Sequence, residues 1–244
     1  MNMTFTYGAY CALIDLLKGR EYPIVGYKEA LDYHRCAILR HDVDTSLEKA
    51  AEMAEIEADK GVKATYFILL TTDFYNAASA RGQKAVDRIL AGGHDVGLHL
   101  DETLYKGLSQ EQMISAVMRE KNILSDICKQ EIATVSLHRP SVGMLNSDFQ
   151  IPGMLNVYGN TFFRQFKYVS DSRRNWREPV VDVVNSGDYE RLHILTHPFW
   201  YHSQEKDLAD TVRDFVNCAN RERYDSFREN ITDLDSIMRE SEVR

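Results

Sequence analysis

The stretch Arg40-His41-Asp42-Val43-Asp44-Thr45-Ser46 (RHDVDTS, 40–46) follows a short apolar run, Cys36-Ala37-Ile38-Leu39, that reads as a buried strand. Buried charge is costly unless it is paired, hydrogen-bonded or bound to a metal. A strand ending in Arg, His and two Asp therefore either runs out into solvent or delivers those groups to a site.

Working outward from this stretch, strands and helices alternate. On the N-terminal side, residues 6–18 repeat apolar side chains at helical spacing up to Gly19, and a short second helix follows before the strand at 36–42. On the C-terminal side, Thr45-Ser46-Leu47-Glu48 is a capping-box signature, and LEKAAEMAEIEADK continues as helix to Gly61. KATYFILL (63–70) is a β-branched and aromatic strand, 76–91 a helix, and HDVGLHL (94–100) the next strand. Ser109-x-x-Gln112 opens a helix to about Cys128, and ATVSLHRP is a strand stopped by Pro140. After a looser stretch, KYVSD (167–171), the short PVVDVV and LHILTHP (192–198) read as strands, and the chain from about Glu205 reads as helix. This alternation predicts βαβ units and a mostly parallel sheet. No repeat or Pro/Gly-rich linker interrupts it, so one domain is expected over 1–244, with helices 6–34 and 205–240 covering a core of about 36–200.

The net charge of −8 argues against a general nucleic-acid binder, which needs a basic face. The four cysteines (Cys11, Cys36, Cys128, Cys218) are scattered, without a Cys-x-x-Cys pair, and suit reduced, buried thiols. The N-terminus lacks a basic start and carries Asp15 within its apolar part, a poor signal peptide. No run approaches the roughly 20 apolar residues of a membrane span. The expected location is the cytoplasm.

Aligning the strand ends shows a pattern. They finish in His41-Asp42-Val43-Asp44, Thr71-Thr72-Asp73, His99-Leu100-Asp101, His138-Arg139-Pro140, Asp171-Ser172-Arg173 and Thr196-His197-Pro198. In a parallel α/β barrel all C-terminal strand ends share one face, where active sites lie. Each residue alone has a plainer reading. A single strand-end His is commonly structural; Asp44 before Thr45 is a helix cap; Asp171 starts an Asx-turn; Trp176 is core packing. Their convergence on one rim favours a shared site.

The ordered segments LRHDVDTS, GHDVGLHLD, LHRPS, YVSDSRRNW and LTHPFWY resemble the polysaccharide deacetylase family, the NodB-homology or carbohydrate esterase family 4 type, over about residues 36–200. The resemblance implies an irregular (β/α)7 barrel and metal-dependent removal of an N-acetyl group from a sugar. By position in the motifs it implies Asp42 as catalytic base, Asp44 and His99 as metal ligands and Arg139 as the brace of the base. It likewise implies Asp171 and Trp176 lining the site and His197 as the catalytic acid, with Asp171 fixing its tautomer. His94 matches a run-in residue and is expected to be structural. The sequence departs from the family at Thr103, where a second metal-binding His is usual. Because catalytic zinc sites usually have three protein ligands, His138 is the expected replacement, with Asp101 the other nearby candidate.

In that reading a divalent metal, zinc for preference, serves the site. Backbone N–H groups after Pro140 complete an oxyanion hole, and Trp176 and Leu195 wall a pocket for the acetyl methyl. Rim aromatics Tyr105, Phe199, Trp200 and Tyr201 either stack on a sugar or pack the barrel edge. Two other classes remain open: a catalytically silent carbohydrate-binding barrel, which Thr103 suits, and a metal-dependent hydrolase of another amide or ester. The cluster Arg173, Arg174 and Arg177 leaves room for an anionic portion of the substrate, as in a sugar nucleotide or lipid-linked sugar.

Overall fold

The computed structural model describes residues 3–243. Seven strands form one sheet: β1 (Cys36–Val43), β2 (Thr65–Leu69), β3 (Asp95–Asp101), β4 (Thr134–His138), β5 (Leu155–Asn156), β6 (Lys167–Ser170) and β7 (Arg191–Thr196). Their order is β5-β4-β3-β2-β1-β7-β6 and every pairing is parallel. The sheet curls into an irregular (β/α)7 barrel, with the two ends of the strand order, β5 and β6, as its edges.

Helices occupy the connections: α1 (Tyr7–Gly19), α2 (Leu47–Asp59), α3 (Ala80–Ala91), α4 (Gln110–Cys128), α5 (Val142–Asn146), α6 (Asn160–Arg164) and α7 (Val180–Ser186). Their starts follow from local chemistry. Thr6 caps α1 by accepting from the Ala9 N–H at 3.1 Å, and Tyr10, Leu13, Ile14 and Leu17 form its buried face. Ser46, one residue beyond the expected Thr45, caps α2, and Ser109 and Gln112 form a reciprocal capping box on α4. The short helix expected before β1 is a single 3-10 turn, Glu29–Leu31.

One expected strand is a helix. Pro179-Val180-Val181-Asp182-Val183-Val184 is β-branched, yet it forms α7. Val180 and Val184, four apart, are its buried residues, and Gly187 at φ 68° ends it. Burial at helical spacing outweighs the β propensity of the valines. The two-residue β5 lies in the stretch whose sequence carries no periodicity.

All eight residues of β1 are buried, and they alternate between two surroundings. Ala37, Leu39 and Val43 join the larger core between sheet and helices; Cys36 and Ile38 join a smaller interior cluster with Tyr27, Phe67, Phe162 and Phe166. Arg40 and Asp42 continue the interior row. His41 continues the outer one, where Nε2 lies 2.8 Å from Glu57 Oε1 and Nδ1 lies 2.6 Å from Thr196 Oγ1. Tyr10 and Tyr66 donate to Glu57 at 2.5 and 2.6 Å. Burial pushes the Glu57 carboxyl up, but the charge of His41 and the hydrogen bonds hold it below its ordinary value. This network ties the end of β1 to the residue before His197.

The chain divides into two compact units, the second beginning at Gln204. In it, α8 (Leu208–Asn230) is capped by Asp207, and α9 (Leu234–Ile237) is held to it by the Tyr224 hydroxyl, which donates to Asp235 at 2.9 Å and to the Met238 carbonyl at 3.0 Å. Among the described residues no helix is long and apolar enough to cross a membrane. Cys36 and Cys128 are buried as expected, whereas Cys218 is exposed on α8.

Candidate metal centre and its surroundings

Asp44, His99 and His138 come together at the C-terminal end of the barrel. Asp44 sits just past β1. His99 lies two residues beyond Gly97 on β3, and His138 is the last residue of β4. Asp44 Oδ1 lies 3.1 Å from His99 Nε2 and 3.2 Å from His138 Nδ1, and the two ring nitrogens are 3.3 Å apart. Asp44 Oδ1 is closed off from solvent and lacks a well-angled hydrogen bond. Burial pushes the Asp44 carboxyl up, but the two imidazoles outweigh it and hold the group well below the usual carboxylate range.

This donor set fits a divalent cation. Zinc bonds of about 2.0–2.1 Å in tetrahedral geometry place neighbouring ligand atoms about 3.3–3.4 Å apart. The three edges of the Asp44–His99–His138 triangle lie close to that spacing, and two imidazoles with one carboxylate are ligands that zinc accepts. Asp101 stays outside the cluster. Its Oδ1 accepts from the Thr103 N–H at 2.9 Å and the Thr103 hydroxyl at 2.6 Å, capping the turn after β3.

Asp42 flanks the triangle with Oδ2 3.6 Å from His99 Nε2. On another side stands His197. Its Nδ1 is 2.6 Å from Asp171 Oδ1, its backbone N–H donates to Asp171 Oδ2 at 3.1 Å, and its Nε2 lies 3.9 Å from Asp44 Oδ2. The Tyr201 hydroxyl also donates to Asp171 Oδ2 at 3.1 Å. Burial lowers the His197 pKa, but Asp171 and then Asp44 and Asp42 raise it to about 9. The imidazolium form is therefore the one favoured at neutral pH.

Arg139 departs from expectation. It is exposed, in a left-handed conformation at φ 49° directly after β4, and the brace on Asp42 comes from Arg40 instead. The physical reason is strand parity. His138 takes the inward position at the end of β4, so its neighbour turns outward as the strand breaks before Pro140. The backbone N–H of Ser141, expected to serve an oxyanion, donates to Glu102 Oε1 at 2.7 Å. Trp176 is buried in the larger core, and Leu195 is buried on the face of β7 shared by His193 and His197. Neither lines the small cleft at the site, whose walls include Asp42, Val43, Asp44, His197, Phe199 and Trp200. Of the other rim aromatics, Tyr201 is buried on Asp171 and Tyr105 donates to Glu120. His94 is structural, buried with Nε2 2.8 Å from the Ala54 carbonyl.

Fold and site together describe a (β/α)7 barrel with a candidate Asp-His-His metal centre. No family model and no curated protein matches the chain. It is similar to several solved structures. A CE4 family pseudoenzyme from Bacillus anthracis is 17% identical, with a TM-score of 0.44 over 74% of this chain and 60% of that one. The chain thus spans less than two thirds of that protein. A polysaccharide deacetylase from Bacillus cereus is 17% identical, with a TM-score of 0.48 over 67% of this chain and 79% of its own. A Streptococcus pyogenes deacetylase in complex with acetate is 11% identical, with a TM-score of 0.48 over 80% and 83%.

Proposed function

We propose that the chain is a metal-dependent hydrolase that removes an N-acetyl group from a sugar or a sugar-containing biosynthetic intermediate. One observation carries the reading: Asp44, His99 and His138 present three converging ligand atoms, flanked by a carboxylate–arginine pair and by a histidine–aspartate pair. Asp44, His99 and His138 would hold the cation, zinc by donor type. A cation there polarises an amide carbonyl and acidifies water at neutral pH.

The chain's own groups supply the proton transfers. Asp42 accepts the proton of the attacking water through Oδ2, the oxygen nearer His99. His197 carries its proton on Nε2, because Asp171 accepts from Nδ1 and favours the charged ring. It delivers that proton to the departing amine nitrogen, so the two products leave as acetate and a free amino sugar. Phe199 and Trp200 on the cleft wall supply apolar surface for the acyl group or the sugar ring.

The experiment is direct. Purified full-length protein is assayed for bound metal and for acetate release from N-acetylglucosamine, its oligomers and its nucleotide-linked form. One equivalent of metal with chelator-sensitive acetate release supports the reading. Metal-free protein that binds these sugars without releasing acetate, even after zinc is added, indicates a silent carbohydrate-binding barrel instead.

A further inference from the structure

The geometry points to Arg40 as the positioning residue of the proposed base, a role the family pattern gives to an arginine after β4 and which no motif assigns to residue 40. The inference rests on the reading of Asp42 as base. Arg40 and Asp42 are two apart on β1, so both face the barrel interior. Arg40 Nε donates to Asp42 Oδ1 and Nη2 to Oδ2, each at 2.8 Å, a two-pronged grip that fixes the plane of the carboxylate.

The arginine is itself held from three sides. Nη2 also donates to the Ser136 hydroxyl on β4. Its guanidinium carbon lies 4.6 Å from the centre of the Tyr158 ring and 5.3 Å from that of Phe67. The side chain is wholly buried, with Nε and Nη2 committed to Asp42 and Ser136 and Nη1 left without a hydrogen-bond partner. Ser136 is two residues before His138 on the same face of β4 and pairs in register with His99. A small residue there leaves room for a guanidinium reaching across from β1. With the plane fixed, Oδ2 points toward His99 and the cluster.

Two variants of the full-length, metal-loaded protein test this. Arg40→Lys keeps a buried cation but cannot grip both oxygens. Its metal content should stay at the wild-type level and its KM within about twofold, while kcat falls about a hundredfold, the cost of a misplaced catalytic group. Ser136→Ala removes one support and should lower kcat by about two- to tenfold, the worth of one hydrogen bond. A crystal structure of Arg40→Lys should show the Asp42 carboxylate turned away from His99. Wild-type kcat in Arg40→Lys, or an unmoved Asp42 in its structure, overturns the inference. Should Arg40→Lys fail to fold, wild-type kcat in Ser136→Ala overturns it. If the wild-type protein releases no acetate from any N-acetyl sugar, the proposed function fails, and the orientation of Asp42 in the variant still decides the role of Arg40.

Discussion

Asp171 engages Nδ1 of His197 at 2.6 Å, and this turns Nε2 of the same ring toward Asp44 Oδ2, 3.9 Å away. The arrangement separates two kinds of histidine at one rim. His99 and His138 meet Asp44 at 3.1 and 3.2 Å, in ligand spacing. His197 stands farther off, with its second nitrogen committed to a carboxylate, as a proton donor requires. Three strand ends thus bring together the candidate ligands, and a fourth brings the proposed acid.

His138→Ala should lose metal as completely as His99→Ala, because each removes one corner of a three-ligand site. The affinity loss for zinc should exceed about a hundredfold, the upper range for merely disturbing a ligand's support. Asp101→Ala should keep wild-type affinity, since that carboxylate caps its own turn. Zinc titration by calorimetry reads all three. Wild-type affinity in His138→Ala would remove it from the ligand set.

Asp42→Asn and Asp44→Ala should separate turnover from metal content. The asparagine amide keeps the shape of the Asp42 side chain without its basicity, so metal stays while kcat falls by about 10²–10⁴. Asp44→Ala should lose both. Parallel metal analysis and turnover measurements check the split, and metal loss in Asp42→Asn with retention in Asp44→Ala would reverse the two roles.

The His197–Asp171 pair predicts a pH dependence in metal-free protein. His197 in the folded chain titrates at about 9, above the roughly 6.5 of an unfolded histidine. The folded state therefore binds the proton more tightly, and the stabilisation is complete below the unfolded value. It is lost as pH rises through about 9, a change on the order of 3 kcal/mol. The buried His94 and His193, whose pKa values are lowered, add the opposite trend to both proteins, so urea midpoints measured from pH 6 to 9 should fall in the wild type relative to those of Asp171→Asn. Equal slopes in the two proteins would refute the assignment.

Much of this was legible in the residues, because parity and strand ends are local properties. The apolar run 36–39 followed by RHDVDTS locates β1 and the rim, and the absence of an imidazole at Thr103 directs attention to His138. Three features escaped for physical reasons. Arg40 shares a face with Asp42 by simple alternation, but its reach to Ser136 depends on the curl of the sheet, which sequence does not display. Glu57, in the last turn of α2, carries no local signal of its burial, which comes from the tyrosines of α1 and β2 that close over it. The valines of α7 follow strand propensity, and only their packing partners select a helix.

Gly97 offers a test that joins the sequence motif to the site. It lies two residues before His99 on β3, and a Cβ there would meet Phe67 ring carbons at 2.4 and 2.6 Å and the Thr134 hydroxyl at 2.6 Å. Phe67 is wholly buried, with Tyr27 edge-on to its ring at 5.9 Å and the Arg40 guanidinium 5.3 Å from its centre. Gly97→Ala must therefore push a ring that supports the arginine beneath Asp42. Overpacking of a filled interior typically costs about 1–3 kcal/mol, and a lowered urea midpoint should report it. Because the displaced ring lies against the Arg40 guanidinium, which grips Asp42, kcat should fall while metal content is kept. A variant as stable and as active as the wild type would mean that Phe67 has room to move and does not fix the site from below.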